Sequence, residues 1–407
     1  MDYERLKKLY HKNPEEYQQT CKALFFAPYT IHLDTIIKQF NYPMSHPAFF
    51  CYTEEIVLFL ENILKENYRL NSQIQSMPPV AIRQFEKQSL IDEIQYSNDI
   101  EGVRSTRREI KLALDSQETN DKSKRLYSVV NKYNKLLQGK EISFQTCEDI
   151  RYFYDDFVLK EVILENPKNA PDGQLFRKES VSVTKSSDRE IHRGLYPENK
   201  IIETLTYALK ILNNDQFPKL VSISIFHYLF GYIHPFYDGN GRISRFITSY
   251  YLSKELSPAV ALKLSMMMKK NREEYYKLFD ITNSYKNYGD LTPFITYFLH
   301  LIYNTVIDVR KTLNSTAQKL EKYQLILNKK LSDAGITDKL TKDIYFILLQ
   351  AALFSIVGGA TIEEICATVH KSRNTVDARI AKIDSRHIIK DTSAKQYRYR
   401  LNSLFLR

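Results

Sequence analysis

The N-terminal part of the chain repeats hydrophobic positions at the spacing of an amphipathic helix. The segment EEIVLFLENILKEN is typical of it, because one helical face carries Ile56, Leu60, Ile63 and Leu64. The repetition ends at 166–173 (NPKNAPDG), a cluster of turn residues in which no regular element continues. The pattern therefore predicts an N-terminal helical region over residues 1–172, followed by a loop or a domain boundary.

Helical periodicity also dominates the rest of the chain. The stretch from Phe176 to Thr184 is different, because it alternates small polar residues with Val181 and Val183, the period of a short strand. Periodicity typical of helices resumes at Glu198 and extends to about residue 329. We expect a central helical domain over 173–310 and a linker helix over 311–336.

The last seventy residues change pattern after Gly335. A long apolar helix is followed by TIEEICATV, by HKSRNTVDARIAKI and by the alternating KQYRYRLN. The order of helix, helix, turn, helix and strand is that of a winged helix-turn-helix. We therefore predict this module over residues 337–407.

Composition supports a mainly α-helical, globular protein. Among 407 residues there are only 11 Gly and 13 Pro, whereas sheet-rich folds need many turn residues. A hydrophobic fraction of 43% excludes wholesale disorder. The formal charge of +10 favours encounters with nucleic acid, nucleotides or acidic partners, and it fits a solvated basic surface equally well.

The spacing of the cysteines and the length of the apolar stretches indicate the redox state and the compartment of the protein. The four cysteines stand far apart and form no CxxC pair, so we expect reduced, structural thiols. The first residues lack the apolar core of a signal peptide, and the most apolar stretch, 344–357, is shorter than the roughly 20 residues that span a bilayer. We expect a cytoplasmic protein with no membrane partner.

The segment GYIHPFYDGNGRISR carries the strongest chemical signal, and it lies between two apolar helices. A Gly-rich turn that enters a helix directs several backbone N–H groups and the positive end of the helix dipole at one point, which suits a phosphate. Gly239 and Gly241 permit the positive φ angles that such a nest of N–H groups needs. The segment therefore predicts an anion-binding loop.

Side chains around this loop have complementary chemistry. Arg242 and Arg245 are three residues apart, so both can project from one side and hold further phosphates. Asp238 is a hard oxygen ligand where Mg²⁺ would bridge a polyphosphate. His234 precedes Pro235, which ends the helix there and displays an imidazole suited to a general base.

The sequence HPFYDGNGRISR resembles the HxFx(D/E)GNGRxxR signature of Fic-domain proteins, position for position. The resemblance implies transfer of AMP from ATP to a Ser, Thr or Tyr hydroxyl of a protein. It implies that His234 deprotonates the acceptor, that Asp238 holds Mg²⁺ and that Arg245 binds the γ-phosphate. The α- and β-phosphates would be bound by Gly239, Asn240, Gly241 and Arg242.

The resemblance extends from about Arg177 to Leu301, over the Fic core that it places at 173–310. Gly241 favours nucleotidyl transfer, because the family variant that transfers a phosphate has Lys there. The positions that match the family's adenosine pocket are Tyr275, Tyr276 and Asn283. For either tyrosine alone, ordinary core packing explains the residue as well.

Residues 181–193 match the family's flap, a hairpin that aligns a target segment by strand pairing. Within this flap we expect Val181 and Val183 to contact the target, and we interpret His192 as a flap residue instead of a second base. Fic proteins often form dimers, so a homodimer is also implied.

Upstream, Ser97–Gly102 (SNDIEG) fits the family's inhibitory pattern (S/T)xxxE(G/N). In that role Glu101 would pair with Arg245 and remove the γ-phosphate's partner. Without the resemblance, Glu101 would be a surface helix residue and Gly102 its C-terminal cap.

The winged helix offers a second candidate interface. Its recognition helix would present Arg373, Asn374, Thr375 and Arg379, which suit contacts with DNA phosphates and base edges. Winged helices also bind proteins, and the sequence leaves both partners open.

These observations together predict a self-inhibited protein adenylyltransferase that uses Mg²⁺ and ATP and modifies a target protein or itself. One alternative is removal of AMP from a modified protein, in which Glu101 would activate a water. The other is a DNA-binding regulator in which the Fic site senses a nucleotide.

Overall fold

The structure is a computed structural model that describes residues 5–117, 120–184, 190–354, 359–392 and 397–406. The chain divides into two compact units that interleave along the sequence. Unit 1 comprises Met1–Glu66, Tyr96–Ser105 and Asn131–Val306, and unit 2 comprises Asn67–Gln95, Thr106–Val130 and Ile307–Arg407.

The described part of the chain is mainly helical, which confirms the predicted fold class. Its first nine helices are α1 (Arg5–Lys12), α2 (Pro14–Phe25), α3 (Glu54–Ser76), α4 (Pro79–Ile100), α5 (Arg107–Gln117), α6 (Tyr127–Leu137), α7 (Cys147–Tyr154), α8 (Lys160–Glu165) and α9 (Glu198–Asn213). The others are α10 (Lys219–Ile233), α11 (Asn240–Glu255), α12 (Pro258–Ala261), α13 (Leu264–Lys270), α14 (Arg272–Asn283), α15 (Thr292–Asp333), α16 (Lys339–Phe354), α17 (Ile362–Val369) and α18 (Arg373–Ile380). Short π and 3₁₀ turns lie at Asp155–Leu159, Pro167–Asn169, Tyr285–Asn287 and Ser403–Leu406.

The strands pair in three small antiparallel sheets within the described residues. They are β1 (Thr30–Lys38), β2 (Ser45–Cys51), β3 (Ser182–Thr184), β4 (Glu190–Arg193), β5 (Ala360–Thr361), β6 (Ile388–Asp391) and β7 (Arg398–Leu401). Strand β1 pairs with β2, β3 pairs with β4, and β7 lies between β5 and β6.

Helix α10 is the centre of unit 1. Nearly every residue of this helix is buried, so it has no polar face, and α9, α11 and α14 pack around it. Such an all-round apolar helix is typical of the middle of a larger domain. Because α10 ends at the motif loop and α11 begins there, the core fixes both ends of that loop.

The N-terminal region contains a hairpin that the helical pattern did not predict. Strands β1 and β2 pair with one irregularity between His32 and Ile36. The sequence of β1, TIHLDTIIK, is rich in β-branched residues, which favour strands. The prediction of helix throughout this region was therefore wrong at the hairpin.

The end of the chain in unit 2 has the order helix, strand, helix, helix, strand, strand, from α16 to β7. The first turn of α17 is fixed by a reciprocal capping box between Thr361 and Glu364, and Ser372 caps α18. This element order and its three-stranded sheet are consistent with the predicted winged helix-turn-helix.

Helix α15 is a single helix of 42 residues, so residues 311–333 continue it without a break. Gly335 follows the helix in the left-handed conformation, where glycine is favoured. Within the described residues, none of the helices combines the length and the apolar character that crossing a bilayer requires.

Candidate active site

The motif loop begins where α10 stops. His234 caps this helix in a left-handed conformation, with φ 53° and ψ 61°, and its N–H still donates to Phe230 O at 3.0 Å. The following proline disfavours a continued helix. The chain therefore turns at His234, and the imidazole lines a pocket within unit 1.

Asn240 stabilises the loop through its side chain. Its Oδ1 accepts the Phe236 N–H at 2.9 Å, and its Nδ2 donates to Phe236 O at 2.8 Å. The Asn240 side chain thus holds the loop's own backbone, and its backbone N–H lies at the start of α11. Binding of a phosphate by Asn240 stays a prediction.

The start of α11 provides a nest of N–H groups. The first intrahelical hydrogen bond of α11 runs from Ile243 N to Gly239 O at 3.1 Å, so the N–H groups of residues 240–242 precede it. Gly239 has a φ of 83°, as the nest requires. Gly241 does not have a positive φ, so the conformational reason given for it was wrong.

Gly241 is needed for a steric reason instead. A Cβ at this position would overlap Glu101 Oε1 and lie 2.8 Å from Arg245 Nη1. A side chain at position 241 would therefore displace the end of the Glu101 side chain. Glycine here allows the carboxylate of Glu101 to lie against the first turn of α11.

Glu101 and Arg245 form the ion pair that the inhibitory pattern implied. Arg245 Nη1 donates to Glu101 Oε1 at 2.8 Å, and the Arg245 side chain is almost completely buried. Ser97 completes the site, because its Oγ accepts from Arg245 Nε at 3.0 Å and its carbonyl accepts from Nη2 at 2.7 Å. Ser97 and Glu101 of the SNDIEG segment therefore both bind the Arg245 guanidinium.

Burial alone would raise the pKa of Glu101, but the neighbouring Arg245 outweighs it and holds that pKa below its usual value. Glu101 is therefore a carboxylate at neutral pH. A bidentate or multiply bonded arginine shielded from water makes one of the stronger polar contacts in proteins.

Arg242 and Arg245 pair with different acidic residues. Arg242 Nη1 donates to Glu161 Oε2 at 2.9 Å, and both side chains are largely buried. The two guanidinium groups thus have different acidic partners, and binding of phosphate by Arg242 stays a prediction.

The imidazole of His234 lies in a setting that keeps it neutral. Burial lowers its pKa to about 4, His192 and Arg177 act in the same direction, and Glu101 opposes them. The Nδ1 atom lies 3.4 Å from Gly231 O, which is compatible with a protonated Nδ1 and a free Nε2 lone pair. A neutral imidazole of this kind can accept a proton.

The three residues predicted for the adenosine pocket line the same pocket as His234 and Arg245. Tyr275 is buried, and its hydroxyl lies 2.7 Å from His227 Nε2. Asn283 Oδ1 accepts from Tyr228 at 2.8 Å. Tyr276 is half-buried at the pocket edge. The sequence did not single out the other lining residues, among them Ile191, His227, Phe279 and Asp280.

Strands β3 and β4 lie in the predicted flap, and residues 185–189 between them lie outside the described residues. Val183 lies on β3 and lines the pocket, while Val181 precedes the strand and accepts the Gly194 N–H at 3.0 Å. His192 lies on β4 and is buried, and its Nε2 lies 2.7 Å from Tyr232 O. The ring thus contacts the backbone of α10, and its role as a flap residue stays a prediction.

Asp238 is the residue available for Mg²⁺. Its carboxylate is partly exposed, and Oδ1 accepts the Gly239 N–H, which leaves Oδ2 without a hydrogen-bond partner among the described residues. No cluster of three or more metal-ligating side chains occurs in those residues. A single carboxylate beside an anion nest suits Mg²⁺, which is usually held by one or two carboxylates together with phosphate oxygens. The residues present therefore fit the ion.

The recognition helix α18 uses its arginines within the chain. Arg373 contacts Glu363 at 3.1 Å and Asp377 at 3.6 Å, and Arg379 contacts Asp338 at 3.3 Å. Asn374 and Thr375 are exposed. These pairs offset part of the positive charge that DNA binding uses, and contact of this helix with DNA or with a protein stays a prediction.

Comparison with known proteins agrees with this geometry. The model of the Fic/DOC family matches residues 147–252. Protein adenylyltransferase Fic of Aedes aegypti is 25% identical over 227 residues, which are 54% of this chain and 41% of that protein. Protein adenylyltransferase Fic of Drosophila grimshawi is 33% identical over 89 residues, or 21% of this chain and 17% of that protein. The chain thus matches less than half the length of these relatives.

A solved structure is similar over most of the chain. The crystal structure of a Fic family protein from Desulfovibrio desulfuricans G20 superposes with a TM-score of 0.52 at 20% identity, covering 87% of this chain and 97% of that one. At this identity the similarity shows the fold. The motif loop, the family match at residues 147–252 and the named relatives together identify a Fic domain in this chain.

Proposed function

We propose that the chain is a protein adenylyltransferase that transfers AMP from ATP to a hydroxyl side chain of a protein, and that Glu101 inhibits it. The observation that supports this most is one pocket lined by His234, by the start of α11 and by the Arg245–Glu101 pair. A base, an anion nest and a blocked arginine are the parts that a regulated transfer from a triphosphate needs.

The reaction follows from the chemistry of these groups. His234 Nε2 takes the proton of the acceptor hydroxyl, whose oxygen attacks the α-phosphorus. The new P–O bond joins AMP to the protein, and the bond between the α-phosphorus and the bridging oxygen breaks to release pyrophosphate. The N–H groups of residues 240–242 stabilise the charge that develops on the phosphate oxygens.

Asp238 would hold Mg²⁺ next to this nest. The ion supplies charge neutralisation for the phosphates and the leaving pyrophosphate when it is bound. Asp238 itself is oriented by the Gly239 N–H, which leaves one carboxylate oxygen to face outward.

Isotopic labelling tests the proposed transfer. The protein is incubated with a hydroxyl-bearing target mixture and with ATP labelled on either the α- or the γ-phosphate. We expect label on protein from α-labelled ATP alone, together with a mass increase of one AMP group on a Ser, Thr or Tyr. Label from γ-labelled ATP would indicate phosphate transfer and contradict the proposal.

Asp238→Ala should abolish transfer at ordinary Mg²⁺ concentrations. The substitution removes the single carboxylate at the nest, so binding of the ion with the nucleotide should weaken by at least about tenfold. The dependence of the initial rate on Mg²⁺ measures this. Full activity with an unchanged Mg²⁺ dependence would remove Asp238 from the site.

Removal of AMP is a second candidate, and it rests on Glu101. This carboxylate lines the pocket with His234 and is ionised, as a base that activates water must be. AMP-modified protein offered as substrate separates the two activities. Release of AMP that is lost in Glu101→Gly would favour the removal reaction.

A further inference from the structure

Arg177 is a buried arginine that contacts the backbone of His234, and the proposed function assigns it no role. Arg177 is completely buried, and its described hydrogen bonds go to backbone carbonyls, not to a carboxylate. Burial lowers the pKa of Arg177 to about 10, so the group is charged at neutral pH. Charged side chains are almost never buried in this way unless the structure uses them.

The carbonyls that Arg177 contacts belong to three segments around the pocket. Nε donates to His234 O at 2.9 Å, and Nη1 donates to Glu179 O at 2.6 Å, just before the flap. Nη2 donates to Leu195 O at 2.8 Å, just after the flap, and to Ile233 O at 3.3 Å. One planar guanidinium therefore joins the backbone of His234 to both ends of the flap.

Two neighbouring residues, Glu198 and Gly194, support this position of Arg177. The carboxylate of Glu198 accepts the N–H groups of Gln174, Leu175 and Phe176 at 2.8–3.0 Å, which fixes the chain as it enters Arg177. A Cβ at Gly194 would overlap Arg177 Nη2 and lie 3.0 Å from Ile233 O, so glycine at this position leaves room for the guanidinium.

We propose that Arg177 is a positioning residue for AMP transfer, which holds the left-handed backbone of His234 and both ends of the flap in one fixed arrangement. The inference rests on the proposed function, and it adds a residue to it. A target segment bound along the flap then presents its hydroxyl at a set distance from the imidazole. Small displacements of reacting groups reduce turnover strongly, because catalysis of this kind depends on alignment.

The Arg177 guanidinium also lowers the pKa of His234. Burial lowers the pKa of His234, His192 and Arg177 lower it further, and Glu101 raises it. Arg245 and Asp280 also line the pocket that His234 lines. Replacement of Arg177 by a neutral residue should therefore raise the pKa of His234. A buried arginine remote from His234 would not produce such a shift.

The test uses Arg177→Met and Arg177→Lys in a Glu101→Gly parent. Met removes the charge and all donors, whereas Lys keeps the charge but lacks the planar fork. We expect Arg177→Met to lower kcat by at least about 100-fold while the Kd for ATP changes less than about threefold. The acidic limb of its pH–rate profile should shift to higher pH. Arg177→Lys should lose turnover while it keeps the parent's acidic limb.

Arg398→Met is the matched control. Arg398 is also buried and is paired with Asp115 within unit 2, at 2.6 Å. This variant should lower thermal stability without moving the acidic limb. If Arg177→Met behaves in the same way, or if Arg177→Lys retains full turnover, the positioning role is refuted.

NMR titration of the His234 imidazole provides a measurement that needs no activity. We expect a higher pKa in Arg177→Met than in the parent and an unchanged value in Arg398→Met. Failure of the Glu101→Gly parent to transfer AMP would refute the proposed function, and the titration would still test the link between Arg177 and His234. Identical His234 titrations in parent and Arg177→Met would overturn the inference even where transfer is seen.

Discussion

Glu101→Gly should raise AMP transfer, including transfer onto the protein itself, by at least about tenfold. The carboxylate accepts from Arg245 Nη1 at 2.8 Å, and Ser97 accepts from Nε and from Nη2. Glu101 therefore competes with a γ-phosphate for this guanidinium. Removal of the carboxylate frees one side of this fork, and the triphosphate can then bind with its α-phosphate along the direction of attack.

Three variants distinguish this mechanism from a general loosening of the site. Glu101→Gln keeps the shape but removes the charge, so it should also activate, though less than glycine. Glu255→Gly removes another glutamate at a helix end, at the exposed end of α11, and should leave transfer unchanged. Arg245→Ala combined with Glu101→Gly should return activity toward background, because the freed arginine is what orients the nucleotide.

The same substitution has an expected effect on stability. Arg245 is only 1% exposed, so loss of Glu101 leaves a buried charge with fewer partners, which destabilises a fold. Glu101→Gly should therefore have a lower Tm than wild type without nucleotide and a larger rise in Tm when Mg²⁺ and ATP are added. Unchanged transfer in Glu101→Gly, or a lower rate, would contradict the inhibitory role.

The parts of the site that the sequence predicted are local. His234, Asp238 and Gly239 lie within six residues, and the turn between two apolar helices determines their geometry almost alone. The conformation of such a loop follows from a proline, a glycine and two helix ends, which a sequence displays directly. The Glu101–Arg245 pair required the family resemblance, because 144 residues separate its members.

The parts that the sequence did not predict depend on contacts between distant segments. Arg242 carries the same charge and spacing as a phosphate ligand, and only the position of Glu161 on α8 reveals that it is already paired. Arg177 looks like any surface arginine until the fold surrounds it with carbonyls. Hydrophobic periodicity carries no information about which polar groups meet inside a domain.

His234→Ala should reduce AMP transfer by at least about 100-fold in the Glu101→Gly parent while ATP binding stays nearly intact. The imidazole lines the pocket as a neutral base, and the contacts suited to phosphate come from the start of α11 and from Arg245. A general base typically contributes 100- to 10,000-fold, roughly, to a reaction rate. The comparison is of kcat with the Kd for ATP, since loss of the base alone lowers only the first.

The backbone of His234 requires a second variant. Its φ of 53° is unfavourable for alanine, whereas asparagine adopts the left-handed region more readily. His234→Asn should therefore keep the loop and still lose transfer. If both variants lose ATP binding in parallel with activity, His234 is a structural residue of the loop.

The pH dependence of transfer provides the remaining test of the base. A base must be unprotonated, so activity is lost as the pH falls through the pKa of His234, which burial lowers to about 4. Glu101 raises that pKa, so its removal in the Glu101→Gly parent should lower it further. We therefore expect no loss of kcat/KM between about pH 8 and about pH 6, whereas an ordinary exposed histidine would produce a decline near about pH 6.5. A decline centred there would contradict the buried, neutral imidazole on which the proposed proton transfer depends.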